Sequence, residues 1–565
     1  MKHLDIKLLQ IFIFVIPFAF GLFYEFTSYF AQVFLLLILE LLVIKRKKIR
    51  IYLNFSNISL LAISLGYLFS IFYARDTGMA FLGFLKFTVP LTFAIILMQY
   101  KENHIRKIFN VIPCTGILMI ILSIIFKYIP ILPDYFYLPN GRMAGFFQYS
   151  NSFALFLLIG IICLVNSKAK KINIILGTAV LLVGVFATGS RLIFLLTILS
   201  FIIFIVKQKS LRKYLAGLVC IAILLTFMYA IITNNFNTFG RYLTTSLNSS
   251  TLLERLLYYK DAVLILLKFP FGLGYMGYSY IQTSIQTGMY STLYVHNEFL
   301  QIALDIGIIP MIIFIIAIVK NLISKGKLTA KKQILLTVVI HMLFDFDLQF
   351  LSIFLILIMT LNTCYGKRYI LKVNRKILII SVLLIQIVYL YFGICTFLQY
   401  INKSDISIIM YPIYTEANLN VINENANDNL KYANEIATKV LETNTNVALP
   451  YKVKSIYDLE NNNWQQMIKN KQKSLEINKY DITNCEEYII MLSQAIDYYA
   501  KNDDMNKVYK CIDLILQIPS QIENLKNSTS GIAYKINDVP NFKFSTEIEN
   551  YIEKMKGVSK KWIKL

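Results

Sequence analysis

The sequence predicts an all-α chain: a polytopic membrane helix bundle over residues 1–399, with about 12–13 spans, followed by a soluble α-helical domain over residues 400–565. Three observations carry this expectation. The chain of 565 residues is 57% hydrophobic yet has a net charge of +23, too apolar for an ordinary soluble fold. The charge is also divided: residues 1–399 hold 36 basic and 12 acidic residues, whereas residues 400–565 hold 20 and 21. Finally, long apolar runs give way after about residue 400 to apolar residues at helical three- and four-residue spacing. Because the excess positive charge sits in the apolar half, a nucleic-acid binder is excluded, since its basic residues would decorate a soluble module.

A helix needs roughly 20 apolar residues to cross the hydrocarbon core. Candidate spans lie near 8–25, 28–44, 51–74, 80–99, 108–129, 150–166, 172–189, 191–206, 214–233, 299–319, 333–346, 350–364 and 377–399. The eleventh and twelfth are short, as tilted or partly re-entrant segments would be. Lys45–Arg50, Lys101–Lys107, Lys168–Lys171, Lys207–Lys213, Lys320–Lys332 and Lys367–Lys376 occupy every second gap, and with Lys2 and Lys7 they hold 27 basic residues. Positive charge retained on the cytoplasmic side then places those gaps and the N-terminus inside, and an odd number of crossings puts residues 400–565 outside. The first span is expected to remain as a helix, because no small-x-small cleavage site follows it. Cys485 and Cys511 leave one disulfide open in the tail.

With topogenic charge set aside, the residues that carry chemistry are those in the outward gaps. The first, Pro133–Ala154, contains LPNGRMAGFFQYSNSFA: Pro139, Gly141 and Gly145 interrupt any helix, and Arg142 stands near Asn151 and Ser152. The second, Thr188-Gly189-Ser190-Arg191, is so short that Arg191 must sit at the membrane face. Each arginine is either an interfacial anchor snorkelling to headgroups or a guanidinium offered to an anion.

The third is a long outer loop, residues 234–296, carrying Arg241 and Arg255. Within it LLERLLYYKDA continues to Leu267 with helical amphipathicity, as a surface-lying helix would, before PFGLGY breaks it. The loop ends at His296-Asn297-Glu298, where a histidine is either a hydrogen-bonding group at a helix start or a general base near neutral pH. The fourth, Asp345-Phe346-Asp347 after His341, reads as a helix-ending interfacial cluster rather than a metal site.

In the tail, residues 416–530 read as helices with Asn-rich breaks. Residues 448–481, turning at Asn461-Asn462-Asn463-Trp464, resemble a degenerate tetratricopeptide repeat, and a second helix pair at 484–518 turns at Asn502-Asp503-Asp504. Such an array is either a docking surface for a protein partner or a stabilising cap. It contains no arginine.

Taken together, Arg142 with GFFQYSNSFA, GSR at 189–191, ERLLYYKDA followed by PFGLGY, and HNEFLQIALDIG resemble the O-antigen ligase and polymerase superfamily over roughly residues 70 to 365. Pro310 stands where the family pattern has its last glycine, a departure that concerns helix packing. HMLFDFDLQF is similar to the family's closing segment, which raises the interest of Asp345 and Asp347.

The resemblance implies an inverting, metal-independent glycosyltransferase with no cofactor, embedded in the lipid bilayer of the cell membrane. Its donor would be a polyprenyl-diphosphate-linked glycan and its acceptor a hydroxyl of a glycan, glycolipid or cell-wall polymer. His296 would be the general base with Glu298 orienting it, while Arg191 and Arg255, and less directly Arg142 and Arg241, would clamp the diphosphate through guanidinium forks. The alternative is a non-catalytic transporter or flippase of the same lipids, which would place ionisable groups near the bilayer midplane; Lys86 is the main candidate for one.

Overall fold

A computed structural model describes residues 4–208, 210–218, 220–221, 224, 250–324 and 328–562. Among them the chain is helical apart from one two-stranded antiparallel ribbon and short irregular connections, an all-α polytopic membrane bundle with a helical tail. Among the described residues five helices are long and apolar enough to cross a membrane: Glu25–Arg46, Thr77–Leu97, Glu102–Phe126, Lys171–Thr188 and Arg375–Tyr400. Shorter apolar helices include Phe55–Ser70, Ser150–Val165, Ile308–Ile323 and Leu351–Thr360. The expected ninth span, 214–233, falls largely outside the described residues.

The chain forms two compact units, and the first comprises Met1–Phe69, Leu82–Leu247 and Val295–Phe397. Its helices differ in how much surface they bury, and their sequences say why. Ser150–Val165 is buried over nearly its whole circumference and lies at the centre of the bundle. Arg375–Tyr400 buries a narrow stripe, Val382, Gln386, Tyr389, Gly393 and Thr396 at alternating steps of four and three residues, together with Cys395 beside it, while Leu383, Leu384, Ile387 and Ile394 are exposed as lipid-facing side chains would be. Small residues let helices approach closely: a Cβ added at Gly184 would lie 2.4 Å from the Ile120 side chain.

Three spans depart from the sequence expectation; the first ends as an α-helix at Val15 and continues as two 3-10 turns, Ile16–Phe18 and Phe20–Leu22, with Gly21 at φ +63°. The third span does not begin at residue 51, because Lys48–Leu53 is a strand paired with Lys367–Lys372, in the register Lys48↔Lys372 to Leu53↔Lys367. The reason is the alternation KIRIYL, whose period of two puts Lys48, Arg50 and Tyr52 on one face and Ile49, Ile51 and Leu53 on the other. The tenth span is broken: helices Glu298–Ile306 and Ile308–Ile323 meet at Gly307, whose φ of +94° suits glycine. Pro310 falls in the first turn of the second helix, where a missing N–H costs little.

Five of the basic gaps, at 45–50, 101–107, 207–213, 320–332 and 367–376, are joined to one another. The ribbon joins Lys45–Arg50 to Lys367–Lys376, Lys331 pairs with Glu102 at 2.5 Å, and Lys207 donates to the Leu328 carbonyl. Arg50 and Gln99 exchange hydrogen bonds of 3.0 and 2.9 Å, and Gln10 donates to Lys107 O at 2.9 Å. Within the bundle Lys86 is fully buried; its ammonium donates to Phe23 O at 2.5 Å and lies 3.4 Å from Glu25 Oε1.

The second unit comprises Ser70–Phe81, Asn248–Tyr294 and Leu398–Leu565. Its tail is a run of helices that includes the pairs Ala448–Glu460 with Trp464–Ile477 and Ile482–Lys501 with Met505–Ser528, turning at the Asn- and Asp-rich breaks that the sequence marks. Their core contains Trp464, Met467, Tyr488, Leu492, Ile512, Ile515 and Ile552. Cys485 and Cys511 are buried free thiols.

The tail is bound to segments from the apolar half. Asp76 accepts from Met79 N at 2.8 Å, from Asn444 Nδ2 at 2.9 Å and from the Thr415 hydroxyl. Helix Ser250–Lys268 packs Leu257 and Tyr258 against Ala533 and Ile536, and its buried Asp261 accepts from Thr287 N at 2.8 Å and Tyr290 Oη at 2.9 Å.

Breaking a buried ion pair from one side leaves a charge uncompensated, at about 3–5 kcal/mol. Lys86→Met should therefore lower the melting temperature in detergent more than the double change Lys86→Met with Glu25→Gln, and equal melting temperatures would show that the pair is not energetically coupled.

Candidate active site

His296 is placed by the start of helix Glu298–Ile306. The extended Asn297 caps that helix, accepting from Phe299 N and Leu300 N at 3.1 Å each, and its amide donates to Leu343 O at 3.2 Å. His296 precedes the cap with φ of +57°, a left-handed conformation that costs a non-glycine residue about 1 kcal/mol or more and must be over-determined by its surroundings. The imidazole stands edge-on to Phe346 at 5.0 Å between centroids, and its Nδ1 lies 3.3 Å from Asp345 Oδ1. Its side chain keeps 20% of its surface exposed, so it can be reached.

Asp345 is 1% exposed and is held from three directions. Tyr149 Oη donates to its Oδ1 at 2.8 Å, Asn151 Nδ2 donates to its Oδ2 at 2.9 Å, and Phe346 N donates to Oδ1 at 3.1 Å. The Tyr149 ring packs against Phe346 at 4.8 Å, so the aromatic that borders the histidine is itself pinned. With a carboxylate facing Nδ1, the proton is favoured on that nitrogen and Nε2 is left as the basic one.

Asn151 carries the network onward. Its Oδ1 accepts from Arg142 Nη2 at 2.7 Å, and Arg142 Nε donates to Thr188 O at 2.6 Å. That carbonyl precedes Gly189, a left-handed cap with φ of +62°, against which the guanidinium packs: a Cβ there would lie 3.3 Å from Arg142 Nε. Two residues later Arg191 begins helix Arg191–Lys207, after Ser190 at the cap. The loop at 139–149 with the first turn of helix Ser150–Val165, the turn at 188–191, the end of the long loop at His296 and the segment at 343–350 thus meet in one polar network.

Glu298 has a different place from the one its sequence position suggests. It is 1% exposed and accepts from Leu348 N and Gln349 Nε2 at 3.1 Å each, so it fixes the segment that carries Asp345; the carboxylate facing His296 is Asp345. The other half of the DFD motif, Asp347, is fully buried, 2.5 Å from His341 Nδ1, and accepts from Ser152 Oγ at 2.8 Å. The motif is therefore a buried anchor rather than an interfacial cluster, because consecutive polar groups need partners once the chain folds back into the bundle. Arg255 lies half-buried on helix Ser250–Lys268 of the second unit, and Arg241 lies outside the described residues.

A model of the family described as O-antigen ligase matches residues 176–315. No curated protein matches the chain. The matched region holds Arg191 and His296, whereas Arg142, Tyr149, Asn151 and Asp345 lie outside it and are brought to the histidine by the fold.

The anchoring role of Asp347 has a direct consequence. Removing a buried acceptor from an ionic partner costs more than removing a neutral hydrogen bond, about 1 kcal/mol for the latter. Asp347→Ala should lower the melting temperature well beyond Ser152→Ala; comparable values by differential scanning fluorimetry would contradict the ion-paired anchor.

Proposed function

From the premise that this multi-pass protein belongs to the O-antigen ligase and polymerase superfamily, we propose that it transfers glycan from a polyprenyl-diphosphate-linked donor to an acceptor hydroxyl at the outer membrane face. The observation that carries this reading is the pairing of an accessible imidazole with a buried carboxylate, linked through Asn151 to a guanidinium beside a second arginine-bearing turn. That arrangement supplies a base and cations from one framework.

In the proposed step Nε2 of His296 takes the proton of the acceptor hydroxyl as its oxygen bonds to the anomeric carbon. The bond from that carbon to the diphosphate oxygen breaks, and the lipid diphosphate leaves with the electron pair, so configuration inverts in a single displacement. Asp345 stabilises the imidazolium that forms, as a carboxylate does behind a catalytic histidine. Arg191 and Arg142 are the candidates for meeting the developing charge, since guanidinium forks match phosphate oxygens and backbone-anchored donors need no reorganisation. Glu298 acts as a positioning residue through Leu348 and Gln349.

The joining of five basic gaps to one another in the first unit supports a cytoplasmic face there, and hence an external tail. The helical hairpins of that tail support a tetratricopeptide-like reading. Lys86 is held by Glu25 and a backbone carbonyl, which suits a structural pair better than the moving charge of a transporter.

The test is transfer in nanodiscs with purified lipid-linked donor. His296→Ala should abolish product while donor binding persists, and Asp345→Asn should lower kcat by about 10²-fold or more with little change in KM. Arg142→Lys and Arg191→Lys should each reduce transfer despite keeping the charge. Full transfer by His296→Ala would overturn the assignment.

A further inference from the structure

The second unit carries two hollows, of about 360 and 520 Å³, that share Thr283, Asn478 and Asp481 on their walls and so form one cleft. One side is the segment that follows helix Ser250–Lys268, and the other is the helical tail. The combined size is in the range of ligand sites rather than packing defects.

The lining has a distinct chemistry. Hydroxyl and amide side chains recur along it, among them Ser279, Thr283, Gln286, Asn446, Asn478 and Asn541. The rings of Tyr280, Tyr290 and Tyr480 and the aliphatic side chains of Leu449 and Ile477 are interspersed. Among the described residues the lysine on the wall, Lys452, is bound to Glu487 at 2.8 Å, while Asp481 and Asp538 add negative charge. A phosphate or an acidic peptide finds no suitable partner in such a cleft. A sugar chain does, because each ring offers hydroxyls that both donate and accept, together with a C–H face that packs on aromatic and aliphatic surface.

Asn484 provides an independent indication. It is 2% exposed and lines the cleft; its Nδ2 donates to Ser474 Oγ at 3.2 Å, yet its carbonyl oxygen is buried with no hydrogen-bond donor. A buried acceptor left so is costly and calls for a partner. A ligand hydroxyl would complete it once the wall at Asn484 opens by the width of one oxygen.

We propose that this cleft binds the neutral portion of a glycan chain, as a holding site made of residues separate from those of the transfer chemistry. The proposal rests on the transferase reading for the source of the glycan, but binding is measured without transfer.

The experiment uses the full-length protein in nanodiscs and host lipid-linked glycan freed of its diphosphate by mild acid and fluorescently labelled at the reducing end. Wild type should bind this probe by fluorescence anisotropy. Thr283→Trp, which fills the shared wall, should weaken binding at least tenfold, and so should Asn484→Leu, which removes the buried carbonyl and should melt no lower than wild type. Wild-type affinity in both variants would overturn the proposal, as would displacement of the glycan by an unfolded-protein probe such as reduced carboxymethylated α-lactalbumin. His296→Ala should bind the probe normally; probe binding by a wild type that transfers no glycan would remove the transferase reading and leave the cleft standing.

Discussion

The buried carboxylate of Asp345 is the constraint around which the site is organised. A carboxylate removed from water must be surrounded by donors, because desolvation costs several kcal/mol even after relaxation. Here the donors come from places distant in sequence: Tyr149 and Asn151 at the head of one helix, and Phe346 N from its own segment, with His296 facing the same oxygen. Satisfying one charge therefore fixes the relative positions of three chain segments, and Asn151 extends the fixation to Arg142 and the turn at Thr188. In the proposed step, the base and the cation are thus positioned relative to one another by a group that itself touches neither leaving oxygen nor nucleophile.

The same logic recurs at other buried ionisable groups of the first unit. Lys86 has Glu25, His341 has Asp347, and Asp305 accepts from Tyr67 Oη at 2.8 Å and Gln301 Nε2 at 2.9 Å. Gln301 in turn accepts from Val295 N at 3.1 Å, immediately before the histidine, so the buried carboxylate in the broken tenth span also helps set the backbone that carries His296. Such groups can weaken a bundle compared with apolar packing, and here each meets its cost with partners inside the unit.

Much of this was legible in the sequence and some was not, for physical reasons. Apolar runs and their basic boundaries mark the spans because the hydrocarbon core demands length and uniformity. Gly189, Arg191 and His296 stand out because charge and backbone freedom are rare beside a membrane. The ribbon at Lys48–Leu53 was hidden because its partner is more than 300 residues away, and strand pairing is not a local property. Asn297 and Glu298 follow His296 directly, yet one is a helix cap and the other a brace for Leu348 and Gln349; adjacency in sequence said nothing of direction along a helix start. Asp345 was visible only as half of a motif, and its tie to Tyr149 and Asn151 spans almost 200 residues.

Charge type divides the chain's two chemistries more cleanly than charge number does. The first unit concentrates guanidinium and imidazole around a carboxylate, which is suited to a leaving group whose negative charge grows during reaction. The tail has no arginine; its cleft offers amides, hydroxyls and tyrosine rings, and its wall lysine is already bound to a carboxylate. A substrate with a diphosphate at one end and uncharged sugars along the rest presents those two chemistries in a single molecule. Cations in the cleft would compete for the diphosphate, and amides in place of the arginines would not meet its charge. Specificity for such a molecule follows from keeping the two sets of side chains apart in composition, each favourable to one end and indifferent to the other.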